Sequence, residues 1–181
     1  VWVLVSKRYQ PATKRCSKCK TTFSWDFAVW RLISRHCKLT SYKKLKYKLN
    51  MYRLRENRDM APRTFMSLVG TTLYEHRFGP FFVAPIVIGL DKGVPLICNY
   101  DSIGSQTDTE DFSVAGTGGD MFYSLCEAYY RPDIKAEEMS DVLANVLVSG
   151  IDRDIMSGWG GVVYVLTPEK IDIKLIKTKL T

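Results

Sequence analysis

From Tyr42 onward the chain alternates between helical and strand patterns, in an order that few folds accommodate. Two helical patterns come first, followed by a strand pair, two more helical patterns and a final strand pair. Apolar residues repeat at 3.6-residue spacing in the first kind of segment, while β-branched and aromatic residues cluster in the second. This grouping predicts an α+β sandwich with helices segregated on the faces of its sheets.

The predicted boundaries follow from periodicity and from turn residues. Pro62 stands where a first-turn proline is favoured, and Gly79 ends the same pattern. Asp91-Lys92-Gly93 is a turn between two strands. We predict helices over 43–55, from 62 through 74 to a stop at 79, and over 120–130 and 136–154, with strands over 82–90, 94–101, 112–115, 160–166 and 171–176.

Charge divides the chain into two unequal parts. Residues 1–48 hold 13 Lys and Arg residues against one acidic residue, Asp26, whereas the remainder holds 13 basic and 18 acidic residues. The net charge of +7 therefore comes entirely from the first segment. Basic side chains interleaved with aromatic ones favour nucleic-acid binding there as one alternative function.

Membrane and secretory classes are not expected. No run approaches the roughly 18 apolar residues of a membrane helix, and the apolar opening over 1–5 is too short for a signal peptide. The chain starts with Val1, which is typical of a fragment. An odd number of cysteines without a secretory signal predicts reduced thiols; these cysteines are Cys16, Cys19, Cys37, Cys98 and Cys126.

Several short runs from Leu73 onward carry a family resemblance. The first, Leu-Tyr-Glu-His-Arg-Phe-Gly-Pro-Phe over 73–81, resembles a run that marks the beta type-3 group of proteasome beta subunits. The similarity continues in order and covers about residues 42–181. The further runs lie at 101–104, 111–117, 124–127, 151–154 and 157–161.

The resemblance implies more than periodicity does. It implies the four-layer αββα sandwich of N-terminal nucleophile hydrolases, in one position of a seven-membered beta ring. The implied function is that of a non-catalytic structural subunit of the 20S core particle, in the cytoplasm and nucleus. The implied partners are other alpha and beta subunits, with no cofactor, nucleic acid or membrane.

Residues 1–41 do not match that family, which has strands in this region. The codons that could encode residues 20–40 can be read in a frame shifted by two bases. The residues permitted in that frame include a family-like strand and helix start, and the same frame permits a family-like sequence for residues 6–16. We interpret residues 1–41 as a basic, non-homologous segment produced by a frameshift or a gene-model error. The domain proper is then 42–181, with its N-terminal strands missing or garbled, and residues 1–40 should form no compact unit.

An active family member needs an N-terminal threonine, whose own amine serves as the base. The sole Gly-Thr-Thr run, at 70–72, falls inside the second predicted helix, and Thr117 falls in a loop. Asp154 and Ser157 match positions that orient the threonine amine in active members, so we interpret them as vestigial. The second supporting serine would fall near residues 118 and 119, which are glycines here. A threonine endopeptidase stays the alternative reading.

The first segment also contains ligand types of a zinc site. Cys16 and Cys19 form a Cys-x-x-Cys pair, and His36 and Cys37 follow. Two adjacent residues seldom reach one tetrahedral ion, so we predict no metal in this chain.

Overall fold

The computed structural model describes residues 2–3, 35–158 and 160–178, with side chains described at 41–135, 137–158 and 160–178. Its elements in chain order are four helices and seven strands within these ranges. Helices and antiparallel sheets alternate along the chain, which confirms the predicted mixture of α and β structure. The calls on residues 4–34, including Cys16 and Cys19, lie outside the described residues.

Two helices begin the long described range, residues 35–158. Helix α1 spans Arg35–Glu56 and begins eight residues before the predicted start. The reason is that no glycine or proline interrupts this stretch, so the backbone hydrogen bonds continue. Helix α2 spans Pro62–Tyr74, and its proline occupies the first turn after an extended Ala61. The predicted start of α2 at Pro62 is confirmed.

A three-stranded antiparallel sheet follows, formed by β2 (Ile86–Asp91), β3 (Val94–Tyr100) and β4 (Gln106–Thr109). Lys92 and Gly93 connect β2 to β3 with φ angles of 51° and 87°, as a primed two-residue turn requires. Strand β2 starts four residues later than predicted, because Pro85 has no N–H to donate to a ladder.

The remaining elements form the second half of the structure. Strand β1 (Trp2–Val3) pairs in parallel with β5 (Phe112–Ser113) over two residues. Helices α3 (Gly119–Tyr129) and α4 (Ala136–Ile151) follow, as predicted to within three residues at their ends. Strands β6 (Gly161–Leu166) and β7 (Ile171–Ile176) close the chain as an antiparallel hairpin.

Two main apolar clusters stabilise these elements. The first core lies between helices α1 and α2 and one face of the β2–β3–β4 sheet, and the second lies between α3, α4 and β6. Ring atoms of Phe122 in the second core occupy the space beside Gly150, where an added Cβ would meet them at 2.0 Å. The buried first core contains Leu45, Met66, Val69, Leu73, Val83, Val87, Cys98 and Tyr100. The buried second core contains Phe112, Phe122, Cys126, Leu143, Val146, Leu147, Ile151, Val163 and Val165.

A third, smaller cluster lies on the opposite face of the β2–β3–β4 sheet. Ile86, Ile88 and Ile97 are buried there, and Leu166 and Ile171 of the terminal hairpin pack against them. Side chains of alternate residues along a strand point to opposite faces. Both faces of the sheet are therefore covered, the first by helices and the second by the end of the β6–β7 hairpin.

Candidate functional site

The two residues singled out by the family resemblance lie in the loop that follows α4. The Ser157 hydroxyl donates to Oδ2 of Asp154 at 2.5 Å. The backbone N–H of Met156 donates to the other carboxylate oxygen, Oδ1, at 3.1 Å. Since both carboxylate oxygens accept hydrogen bonds from the loop itself, Asp154 holds that loop in one conformation.

A third residue reaches this carboxylate from a distant loop. The Thr117 hydroxyl donates to Oδ2 of Asp154 at 2.7 Å, across 37 positions of sequence. The turn that carries Thr117 starts at Gly116, whose φ of 122° is unfavourable for other residues. At Gly118 an added Cβ would lie 3.3 Å from the same carboxylate oxygen. The glycines on each side of Thr117 therefore allow the close approach of the two loops.

The hydroxyl–carboxylate cluster, as we name Thr117, Asp154 and Ser157, includes a contact that sequence reasoning missed. The sequence predicts that the second supporting serine is lost, since residues 118 and 119 are glycines. A hydroxyl from Thr117 is present instead. The signal in the sequence was a polar residue flanked by glycines, which is too common in turns to identify a site.

The electrostatics of the cluster do not suit acid–base chemistry. Burial raises the pKa of Asp154, but hydrogen bonds from Ser157, Thr117 and the Met156 N–H outweigh it, so the net pKa lies below the ordinary 3.8. A carboxylate with a lowered pKa is a weak base at neutral pH. Both hydroxyls donate to it, and the Thr117 nitrogen lies within a peptide bond, so it is not an amine.

The Gly-Thr-Thr run at 70–72 lies inside α2, which confirms its predicted placement. Thr72 is only 1% exposed and accepts a hydrogen bond from the Lys48 ammonium at 3.2 Å. The Thr71 hydroxyl donates to the Ser67 carbonyl one turn earlier, at 2.9 Å.

The glycine of this run serves helix packing. A Cβ on Gly104, whose φ is 89°, would lie 2.5 Å from the Gly70 carbonyl oxygen, and a Cβ on Gly70 would lie 3.5 Å from the Tyr100 ring. These two glycines allow the loop after β3 to lie directly against α2. Gly70 and buried Thr72 thus have structural roles beside the first core, while exposed Thr71 bonds within its own helix.

An open recess lies beside the turn that carries Thr117. It has a volume of about 320 Å³, and Gly116 forms part of its wall. Oδ1 of Asn99 is buried and has no hydrogen-bond partner among the described residues. The recess is lined by Ala84, Asn99, Tyr100, Asp101, Ser105, Thr107, Val114, Ala115 and Gly116.

The two described cysteine side chains are free thiols buried in the cores. Burial raises the pKa of Cys98 to about 12, despite an opposing hydrogen bond with Tyr100. Burial raises the pKa of Cys126 to about 11. Because the thiolate is the reactive form, both thiols are inert near neutral pH.

The ranges that the structure describes contain neither a metal-ligand cluster nor a membrane-spanning helix. There, no group of three His, Cys, Asp or Glu residues could hold a metal ion. Cys16 and Cys19 lie outside those ranges, and the side chains of His36 and Cys37 are not described, so the prediction about zinc stays a prediction. No helix in the described part of the chain is long and apolar enough to cross a membrane.

The comparisons with known proteins identify the family. The family model described as "Proteasome subunit" matches residues 39–166. The chain belongs to the proteasome subunit family. Proteasome subunit beta type-3-B of Arabidopsis thaliana is 46% identical over 142 residues, which cover 78% of this chain and 70% of that protein.

Two further relatives are also beta type-3 subunits. Proteasome subunit beta type-3 of Drosophila melanogaster is 42% identical over 144 residues, covering 78% of this chain and 70% of the relative. The beta type-3 subunit of Saccharomyces cerevisiae is 39% identical over 136 residues, covering 74% and 66%. The predicted resemblance is confirmed, and the family match begins at residue 39, close to the predicted boundary after residue 41.

Proposed function

We propose that this chain is a non-catalytic, structural subunit of the proteasome core particle and occupies one position of a beta ring. The observation that carries the proposal is the similarity to beta type-3 subunits over more than three quarters of the chain. Its role is geometric, since it fills a ring position, contacts other alpha and beta subunits and helps to enclose the proteolytic chamber. The particle acts in protein degradation in the cytoplasm and nucleus.

We further propose that the fold is the four-layer αββα sandwich of N-terminal nucleophile hydrolases. Three contacts support it. Val87 and Cys98 face the helices of the first core, Ile88 on the opposite face meets the β6–β7 hairpin, and Val163 of that hairpin packs in the second core. These contacts are the ones expected if helix, sheet, sheet and helix are stacked in that order.

We propose that residues 71, 117 and 157 do not act as nucleophiles. Thr71 begins the last turn of α2, where chain cleavage would separate that turn from the rest of a packed helix. Thr117 and Ser157 both donate to the ionised carboxylate of Asp154. We interpret the cluster as the remnant of a site that now fixes two loops.

For the N-terminal segment, the proposal is that residues 1–41 come from a frameshift or gene-model error and that 42–181 form the subunit domain. The one-sided charge and the start of the family match at residue 39 support it. Mass spectrometry of the native N-terminal peptide tests it. A native peptide that reads Val1 to Arg8 as printed would contradict it.

Activity and assembly provide the decisive tests of function. Purified full chain should not hydrolyse fluorogenic peptides, and Thr71→Ala, Thr117→Ala and Ser157→Ala should leave the background rate unchanged. Turnover that disappears in one of these variants would establish a threonine or serine endopeptidase instead. Native mass spectrometry of an extract, probed for a peptide from 136–153, should find the protein in a particle far larger than the 20.7 kDa chain. A stable free monomer, or a complex released by nuclease, would contradict the assignment.

A further inference from the structure

Strand β7 has one edge that no other described strand completes. Its inner edge pairs with β6 along the whole strand, from Ile171 to Ile176. Among the strands that the structure describes, none pairs with its outer edge. An unpaired edge presents backbone N–H and C=O groups to which a further strand can bind. The outer edge of β7 is therefore a surface for strand addition.

The hydrogen bonds of the hairpin show which residues of β7 direct their backbone groups outward. At the turn, the Thr167 N–H donates to the Lys170 carbonyl at 2.9 Å, so these two residues form a hydrogen-bonded pair. Hydrogen-bonded and non-hydrogen-bonded pairs alternate along an antiparallel ladder. Ile171, Ile173 and Leu175 therefore occupy non-hydrogen-bonded positions toward β6, and their N–H and C=O groups point to the outer edge.

The two faces of β7 carry different side chains. Ile173 and Leu175 on one face are 62% and 68% exposed. Asp172 and Lys174 on the other face are exposed as well. Asp172 pairs with the lysine of the preceding turn at 3.0 Å, and Lys174 pairs with a carboxylate of α4 at 2.5 Å. A carboxylate has two oxygens and an ammonium has three donors, so each group has the capacity for a further partner.

The sequence of β7 is complementary to itself when a second copy runs antiparallel about Ile173. In this register Ile173 lies opposite Ile173 of the second copy, and Ile171 lies opposite Leu175. These are the outward-directed positions, so each pair exchanges its two backbone hydrogen bonds. Asp172 of each copy then lies opposite Lys174 of the other, at the non-hydrogen-bonded positions where side chains approach most closely.

The neighbouring registers that also pair outward-directed positions oppose like charges. A register centred on residue 172 places Asp172 opposite Asp172 and Lys174 opposite Lys170. A register centred on residue 174 places Lys174 opposite Lys174. Like charges directly opposite each other destabilise an antiparallel pair. Charge therefore selects the register centred on Ile173.

We propose that two copies of this chain associate outside the particle through β7 in this register, as a two-fold symmetric dimer with a four-stranded sheet. The occupant is a second copy because β7 supplies both halves of the charge pattern, as a two-fold interface requires. Exposed Ile173 and Leu175 lose water-accessible area against the copy. Helix α4 does not obstruct the contact, since it packs on β6 beside Gly161.

Sedimentation equilibrium of the purified full chain tests the dimer. We expect a concentration-dependent species of twice the 20.7 kDa chain mass. Asp172→Lys and Lys174→Asp should each raise the dissociation constant about tenfold or more, because each substitution opposes like charges. The control Asp152→Lys makes the same charge change in an exposed loop and should stay within about twofold of the wild type.

Mixing the two variants separates a lost contact from a lost fold. In an equimolar mixture of Asp172→Lys and Lys174→Asp, each lysine lies opposite an aspartate, so the dimer should return. Its return would also show that both variants fold. A mixture that stays monomeric would overturn the inference.

A cysteine on the two-fold axis tests the register. Residue 173 lies opposite itself at a Cα separation of about 5.5 Å, which a disulfide can span. Oxidation by air should therefore link Ile173→Cys into a covalent dimer, above the background of the wild-type chain. Tyr164→Cys on β6 is the control, since three strand spacings, about 14 Å, separate it from its copy. Equal or greater linkage through Tyr164→Cys would overturn the register.

Other outcomes also decide the matter. A monomer at every concentration, an open-ended series of larger assemblies, or a dimer that neither charge variant weakens would refute the pairing through β7. The dimer does not depend on the proposed ring position. Absence of the chain from large particles would refute the proposed function and leave the dimer unaffected.

Discussion

The first and second cores use hydroxyl groups in opposite ways. In the first core the Tyr100 hydroxyl is buried and donates to the Met66 carbonyl of α2 at 2.7 Å. In the second core the hydroxyls stay at the rim, where Thr117 and Ser157 both donate to Asp154. The buried hydroxyl connects the sheet to a helix, whereas at the rim Thr117 connects two loops and Ser157 bonds within its own loop. The role of a hydroxyl residue in this protein therefore depends on its depth, and residue type alone does not reveal it.

A substitution in the apolar interior of the second core should lower the free energy of unfolding the most. Phe122 is 3% exposed and packs against Gly150, so Phe122→Ala leaves a cavity and should lower the free energy of unfolding by about 3–5 kcal/mol. Urea denaturation measures the change. Exposed Glu127 on the same helix is the control, and Glu127→Ala should stay within about 0.5 kcal/mol. A loss below about 1 kcal/mol for Phe122→Ala would mean that the second core is not tightly packed.

Removal of the buried hydroxyl in the first core should cause the next largest loss of stability. Tyr100→Phe keeps the ring and removes the hydroxyl, with its hydrogen bond to the Met66 carbonyl and its weaker contacts with Gln106 and Cys98. The loss should cost about 1–2 kcal/mol of unfolding free energy. The same measurement on Tyr47→Phe, an exposed position in α1, supplies the control and should show no change. If Tyr100→Phe and Tyr47→Phe lower the free energy of unfolding by equally small amounts, the buried hydroxyl does not stabilise the first core.

The rim cluster should have a smaller and pH-dependent effect. Asp154→Asn weakens the hydrogen bonds from Thr117 and Ser157 and should cost about 1 kcal/mol at pH 7. The pKa of Asp154 is lowered in the folded state. Its stabilisation is therefore present above the ordinary value of 3.8 and is lost as the pH falls through the lower folded value.

Urea midpoints between pH 7 and about pH 2.5 measure this dependence. The difference between wild type and Asp154→Asn should narrow toward the acidic end. Asp152→Asn, two residues earlier in the same loop and exposed, is the matched control and should show a smaller difference. A gap for Asp154→Asn that widens with acid would show that the carboxylate is not stabilised by these donors.

The smallest effect should come from the surface pair beside the first core. Lys48 contacts both carboxylate oxygens of Glu75, at 2.9 and 3.0 Å, but half of the Glu75 side chain is exposed. Glu75→Gln should cost about 0.5 kcal/mol or less, and the difference should disappear in about 1 M salt, because exposed pairs are screened. Glu169→Gln in the last hairpin is the control. A loss of stability that persists in high salt would show that solvent does not screen this ion pair.

Much of the fold could be predicted because local patterns determine it. Helix α2 begins at Pro62 as its sequence indicates, and β7 has its predicted bounds. Strand β4 was missed, since its polar residues Gln106–Thr109 show no apolar alternation and it forms only by pairing along the edge of β3. An edge strand of this kind depends on its neighbour more than on its own residues.

The candidate site was predicted only in part. Asp154 and Ser157 are three positions apart in one loop, so a family motif could identify both of them. Thr117 could not be assigned to them from its surroundings in the sequence, because the contact spans 37 positions and depends on the packing of α3 against α4.

The sequence by itself determined the helices with strong periodicity, the primed turn at Lys92-Gly93 and the family to which the chain belongs. These depend on short-range sterics, on repeats of 3.6 or two residues, or on runs of identical residues. Only the tertiary structure decided that Thr117 meets Asp154 and that Gly70 allows a loop to lie against α2. Such contacts arise when distant segments are brought together by the burial of apolar surface, a driving force that is not directional and therefore leaves no local pattern to read.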